Sequence, residues 1–301
     1  MMLTSETLSA EYTHAGRRAA DFVLLMKPRI VMMVLLTTFV GFYLGVSGTP
    51  DYAALLQVLT GTALAAGGTL ALNQFLERDI DARMVRTRLR PLPAGRLRPT
   101  EALLFGLLIV VTGLLYLAIL VNALSGVVAA AIVGSYLFLY TPLKRRTAFC
   151  TVVGAVPGAL PPVIGWAAAT GRLGIEAWVL FAIMFLWQLP HTLAIAMLYK
   201  DDYRRAGIRL LPMIDPDDKL TGCQIVCDCM VLLVVSLLPT LIGFAGPVYF
   251  VGALTLGIGL LVCACAFILW RSTTDVRRLA LASLVYLPAL LLLMVLDRAP
   301  F

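Results

Sequence analysis

The chain has 301 residues, of which 60% are hydrophobic and only 14% charged. A soluble domain of this length has too little interior to hide so much apolar surface, which excludes a water-soluble globular fold. The net charge of +7 would suit nucleic acid in a soluble protein, but the placement of the charges argues against that partner.

Apolar runs of about 20 residues recur at roughly 30–48, 53–76, 102–121, 125–140, 148–169, 176–198, 229–246, 248–270 and 278–296. In lipid an isolated segment satisfies its backbone only as a helix. The runs therefore predict an all-α, polytopic membrane protein with nine transmembrane helices in one bundle. Of the 24 Lys and Arg residues, all but Arg172 and Arg298 fall in the amino-terminal segment or in the loops after the second, fourth, sixth and eighth runs. That asymmetry places the amino terminus in the cytoplasm and the carboxyl terminus outside. The first 20 residues are polar and lack the apolar core of a cleavable signal. The expected organisation is a cytoplasmic amino-terminal segment, 1–29, and a single transmembrane domain, 30–301, in a bacterial plasma membrane. The six cysteines form no CxxC pair and have no histidine close by in sequence, so they read as small apolar residues.

The end of the second run carries the strongest signal. Asn73, Glu77 and Asp81 are spaced by four and share a helix face. Oxygen ligands of this kind suit a hard cation such as Mg2+, which commonly bridges to substrate phosphates. Arg83, Arg86, Arg88 and Arg90 follow, and guanidinium forks suit phosphate oxygens. Asp79 lies off the shared face and is expected to pair with Arg83. An interfacial helix end whose charges are merely solvated is the bland alternative. It is disfavoured because carboxylates at a membrane boundary usually have partners.

After the fourth run comes Tyr140-Thr-Pro-Leu-Lys-Arg-Arg-Thr147, where Lys144 and Arg145 are candidates for phosphate contact or simple topology determinants. In the fifth run Gly154, Gly158, Pro161, Pro162 and Gly165 predict a bent, closely packed helix. In the sixth, Trp187-Gln-Leu-Pro-His191 puts Gln188 and His191 three apart on one helix face, with Pro190 freeing a backbone carbonyl. His191 is a packed interior histidine, a proton handler or an axial ligand to haem iron. Beyond that run Asp201 and Asp202 precede Arg204, Arg205 and Arg209, repeating the acidic-then-basic order of the first segment. Two such segments on one membrane side could bind metal ions across a diphosphate. Asp215, Asp217 and Asp218 read as a solvated loop or a cap before the seventh helix.

At these residues the chain resembles the protohaem IX farnesyltransferases, a branch of the intramembrane aromatic prenyltransferases. The likeness rests on Asn73 with Glu77-Arg-Asp-Ile-Asp81, Met84-x-Arg-Thr-x-x-Arg-Pro91, Tyr140-Thr-Pro-Leu-Lys-Arg145, Gly158-Ala-Leu-Pro-Pro-x-x-Gly-Trp166, Trp187-Gln-x-Pro-His191 and Asp202-Tyr-x-x-Ala-Gly207. Departures fall at Thr192, where many relatives have Phe, at Leu210, where many have Met, and near Cys150, where many have Asn. The resemblance implies a central cavity open to the cytoplasmic side and transfer of a farnesyl group from farnesyl diphosphate to a vinyl group of haem b. Mg2+ would be held by Asn73, Glu77, Asp81, Asp201 and Asp202, and the diphosphate by Arg86, Arg90, Lys144 and Arg145. His191, Gln188 and Trp187 would contact the haem. The product implies a downstream haem-modifying enzyme as a docking partner.

Two rivals stand beside this reading. One is the same fold acting on another aromatic or tetrapyrrole acceptor. The other is a small-molecule transporter, whose site would lie near the midplane rather than among charges at one face.

Overall fold

The computed structural model describes residues 16–299. Residues 1–15 of the expected amino-terminal segment lie outside them. Among the described residues nine helices are long and apolar enough to cross a membrane. The only β-type pairing there is an isolated bridge between Ala245 and Arg298. The protein is a multi-pass membrane protein.

A short helix α1 (16–25) precedes the spans. These are α2 (Pro28–Gly45), α3 (Tyr52–Leu76), α4 (Pro99–Val121), α5 (Ala123–Leu143), α6 (Cys150–Thr170), α7 (Ile175–Leu198), α8 (Lys219–Leu241), α9 (Pro247–Trp270) and α10 (Thr273–Leu296). Local chemistry explains many of the boundaries. Pro28, Pro99 and Pro247 open their helices, where a missing N–H costs nothing. Asp51 caps α3, Asn122 caps α5 and Ser272 caps α10 through side-chain acceptors.

Three expectations need correction. Helix α1 falls in the segment read only as polar. Helix α8 begins at Lys219, ten residues before the predicted 229, because Gln224 and Asp228 dilute the apolar signal of its first turns. Asp228 is buried there, and Gln224 donates to it at 2.8 Å. Helix α10 begins at Thr273 rather than 278, and Arg278 in its first turns pairs with Asp275 at 3.3 Å.

Small residues set how closely the spans approach. A Cβ on Gly41 of α2 would lie 1.9 Å from the Pro162 carbonyl oxygen of α6, and one on Gly165 would lie 2.0 Å from that of Thr38. Both glycines are required for this crossing. Helix α6 is bent as expected: it breaks at Leu160, between Cys150–Ala159 and Pro161–Thr170.

Helices α2, α3, α5, α6 and α7 surround a cavity of about 260 Å³ lined mainly by apolar side chains. Helices α8, α9 and α10 contribute nothing to its lining; they pack against one another and α7 around buried Tyr249, Phe267 and Tyr286. Alternation of the spans brings the loops after α3, α5 and α7 to one end of the bundle, where the cavity meets the charged residues.

Candidate active site

Helix α3 loses regular geometry at Glu77, then resumes as one turn, Arg78–Asp81. The spacing by four survives the irregularity: Glu77 N–H donates to the Asn73 carbonyl and Asp81 N–H to that of Glu77. Asn73 and Asp81 are 1% exposed and Glu77 is 7% exposed. Asp79 points outward and lies 3.9 Å from Arg78, not against Arg83 as the sequence spacing suggested. The shared face is therefore buried and the odd carboxylate is not.

Buried carboxylates persist only with partners, and losing one partner of such a pair costs about 3–5 kcal/mol. Each polar group of this face has a cation. Lys27 Nζ donates to Asn73 Oδ1 at 2.9 Å, Lys144 Nζ to Glu77 Oε1 at 2.7 Å, and Arg90 to Asp81 Oδ2 at 2.6 Å. The carboxylates are engaged through one oxygen each, which leaves Oε2 of Glu77 and Oδ1 of Asp81 for a hard cation. Burial pushes the Lys27 ammonium down to about 7, and the Arg90 guanidinium adds to the effect. Burial opposes the charge of Lys144 too, but Tyr140 and Glu77 beside it outweigh that and hold its pKa above the ordinary lysine value.

Sequence reasoning missed Lys27, counting it only as a topological charge. The signal was its place immediately before Pro28, where the chain turns from α1 into α2. Its backbone takes φ +51°, a left-handed conformation rare outside glycine. That strain, next to the buried amide of Asn73, fits a functional position.

The segment after α7 is brought to the same end. Asp202 is buried and accepts from the backbone N–H groups of Val85 and Arg86, at 3.3 Å each, and from the Arg205 guanidinium. Burial raises its pKa, but the Arg86 N–H, Arg205 and the Val85 N–H together hold the carboxyl below its usual value. Asp201 is exposed. No group of three or more acidic, His or Cys side chains among the described residues is placed to hold one metal ion. Asn73, Glu77 and Asp81 stay together on α3, and Asp202, from the second segment, ties down the backbone of the loop carrying Arg86.

The three loops form one cap. The Arg209 N–H donates to the Lys144 carbonyl at 2.8 Å, and Met84, Ala206, Ile208 and Leu210 pack beneath. Arg86 lies over the Tyr199 ring at 5.2 Å, and Arg145 is exposed, so both sit on the rim. Asp215, expected in a solvated loop or cap, is buried and accepts from the Thr221 N–H at the start of α8.

The cap meets the cavity at Tyr140. Its ring lies 4.4 Å from Lys144 Nζ and lines the cavity with Tyr136, at the π-helical end of α5. Such wide turns frequently mark functional sites. Thr141 sits 3.4 Å from the Asn73 amide nitrogen. Of the residues expected to contact an acceptor, Gln188 lines the cavity. Trp187 and His191 stack on each other and turn toward α10: the indole donates to the Ser283 carbonyl at 2.7 Å, and His191 Nδ1 lies 2.8 Å from the Ser283 hydroxyl. The one face expected for Gln188 and His191 is about 60° wide, and the structure divides it: Gln188 borders the cavity at one edge and His191 meets α10 at the other.

A cation-rich ledge with free carboxylate oxygens above an apolar cavity is suited to a diphosphate carrying a hydrocarbon tail. The chain belongs to the UbiA prenyltransferase family, which it matches over residues 34–288. Among its relatives are proteins called protoheme IX farnesyltransferase. It is 47% identical over 287 residues to the one from Solibacter usitatus, covering 92% of this chain and 98% of the relative. It is 43% identical over 277 residues to the one from Salinibacter ruber, covering 92% and 98%. The fold is shared with a digeranylgeranylglyceryl phosphate synthase (TM-score 0.79, 14% identity, 93% of this chain and 98% of the other). It is also shared with a UbiA homolog from Archaeoglobus fulgidus bound to GPP and Mg2+ (TM-score 0.64, 14% identity, 91% and 99%).

Proposed function

We propose that the chain transfers the farnesyl group of farnesyl diphosphate to a vinyl group of haem b, with addition of water, giving haem O and diphosphate. The observation that carries the reading is the buried row Asn73, Glu77 and Asp81, each group held by its own cation at the end of an apolar cavity. The relatives from Solibacter usitatus and Salinibacter ruber, similar over almost their whole length, support haem as acceptor.

Arg90 and Lys144 meet the diphosphate oxygens, and Arg86 adds charge from the rim. Charge that builds up on the leaving group thus faces fixed cations in a site of low dielectric. Glu77 and Asp81 would hold Mg2+ through the carboxylate oxygens their partners leave free, and Asn73 would add the second lone pair of the Oδ1 that Lys27 contacts. One or two carboxylates completed by substrate phosphates is the usual environment of that ion. An ion held by these carboxylates would supply positive charge against the leaving diphosphate. Tyr140, at the junction of ledge and cavity, would present its ring to the carbon that becomes an allylic cation, and an aromatic face favours positive charge. The apolar walls exclude bulk water, which would otherwise hydrolyse the cation.

The basic asymmetry of the loops supports a cytoplasmic mouth, an external carboxyl terminus, a single domain over 30–301 and a place in a bacterial plasma membrane. A downstream haem-modifying enzyme is the natural consumer of the product. The test is incubation of the purified protein with haem b and farnesyl diphosphate, with Mg2+ or with a chelator, followed by mass spectrometry of the haem. Haem O with Mg2+ only is expected. A product that appears equally with chelator would remove Mg2+, and the absence of any farnesylated haem would remove the acceptor assignment.

A further inference from the structure

The α6–α7 wall of the cavity carries polar groups that the diphosphate site does not use. Much of the remaining lining is Ile, Val, Leu and Ala. Gln188 Nε2 donates to the Met184 carbonyl on its own helix at 2.9 Å and to the Ala155 carbonyl of α6 at 3.4 Å. Both amide hydrogens are committed to backbone, so Oε1 is an acceptor held in one orientation. Gly158 provides its space: a Cβ there would lie 1.9 Å from Oε1. Thr192 lies one turn beyond Gln188 on α7, and Thr151 lies one turn before Ala155 on α6; both line the cavity. The two helices run in opposite directions, so both hydroxyls stand about 6 Å nearer the charged end than the amide. The Thr151 hydroxyl is buried without a protein oxygen or nitrogen partner and has only the Cys150 thiol beside it. An oriented acceptor and nearby hydroxyls on an apolar wall are what an ordered water requires.

Building on the haem-farnesylating reading, we infer that Gln188, with Thr151 and Thr192, orients the water molecule that captures the second carbocation. Carbon 1 of the farnesyl group bonds to the terminal vinyl carbon, and the electron deficiency passes to the vinyl carbon attached to the macrocycle. Two outcomes then compete. In one, the water oxygen donates a lone pair to that carbon and loses a proton, leaving the hydroxyl. In the other, the neighbouring methylene loses a proton and a carbon–carbon double bond forms, giving a product lighter by one water. Neither needs an oxidant or a reductant. Gln188 Oε1 accepts one hydrogen of the water and thereby fixes its lone pair toward the cation. The amide is too weak a base to keep the second proton, which passes along the threonine hydroxyls to the departed diphosphate or to solvent. Gln188 is thus a positioning residue, acting through the water.

The experiment measures the ratio of alkene to alcohol product by mass spectrometry, with the reaction run in H2(18)O. Wild type is expected to give the alcohol carrying the heavy oxygen. Gln188→Met is expected to raise the alkene-to-alcohol ratio about tenfold, the worth of one lost hydrogen bond. The double variant Thr151→Val/Thr192→Val should shift it in the same direction, by about threefold. The ratio is independent of how much protein folds. An unchanged ratio in both variants overturns the inference. So does the loss of all farnesylated haem in both at wild-type protein levels, because a group that acts after carbon–carbon bond formation is not needed to form that bond. Failure of the wild-type protein to farnesylate haem b would instead overturn the functional reading beneath it.

Discussion

Leaving α3, the chain passes through Glu77, Asp79 and Asp81 to a run of arginines; leaving α7, it passes through Asp201 and Asp202 to Arg204, Arg205 and Arg209. The two stretches look like copies and fold differently. In the first, Glu77 and Asp81 turn inward and meet cations, Lys144 from after α5 and Arg90 from nine residues on, while Asp79 faces outward. In the second, Asp202 binds backbone N–H groups of the first stretch and a neighbouring arginine, while Asp201 faces outward. One stretch pairs its buried carboxylates with cations, and the other ties the backbone of the loop that carries Arg86. Acidic-then-basic order alone does not tell these roles apart; the identity of the partner does.

Substitutions that separate the two stretches test this division. Asp81→Asn removes a carboxylate from the ledge and leaves Arg90 without its buried partner. Haem O formation is expected to fall about 1000-fold, on the scale of losing one preorganised electrostatic group, while membrane insertion is kept. Full activity in this variant, measured by product mass spectrometry, would break the comparison at its strongest point. Lys144→Met should cost about 100-fold in kcat/KM for farnesyl diphosphate, and haem binding should change little. Equal losses for both substrates would point to misfolding rather than to a lost phosphate contact.

Asp202→Asn should be milder, about tenfold, as expected for a group acting through a ligand-bearing loop. Its signature is loosening of residues 83–98, read by limited proteolysis. Because the folded carboxyl has a lowered pKa, the tie contributes fully above the free-chain value of about 4 and is lost as pH falls through the folded value. Acid-induced loosening of this loop in wild type should therefore be absent from the pH profile of Asp202→Asn. The smallest effects are expected from Asp79→Asn and Asp201→Asn. Both groups are exposed, and stability should change by less than about 0.5 kcal/mol. A large loss of activity in Asp201→Asn would return that carboxylate to the metal site.

The path of the chain through the membrane was legible because hydrocarbon admits few solutions: long apolar runs become helices, and basic loops stay on one side. The exceptions, α8 and α10, start among Gln224, Asp228 and Arg278, whose polar atoms find partners within the fold and so escape a hydropathy count. The row Asn73, Glu77 and Asp81 was also legible, since spacing by four survives even an irregular helix end. Tertiary structure alone decided which cation meets which carboxylate, that Asp202 serves the backbone, that Lys27 belongs to the site, and that His191 turns to Ser283 while Gln188 turns to the cavity. The physical reason is that periodicity fixes which residues share a face, whereas what that face meets depends on helices brought together by close contacts such as that of Gly41 with Pro162.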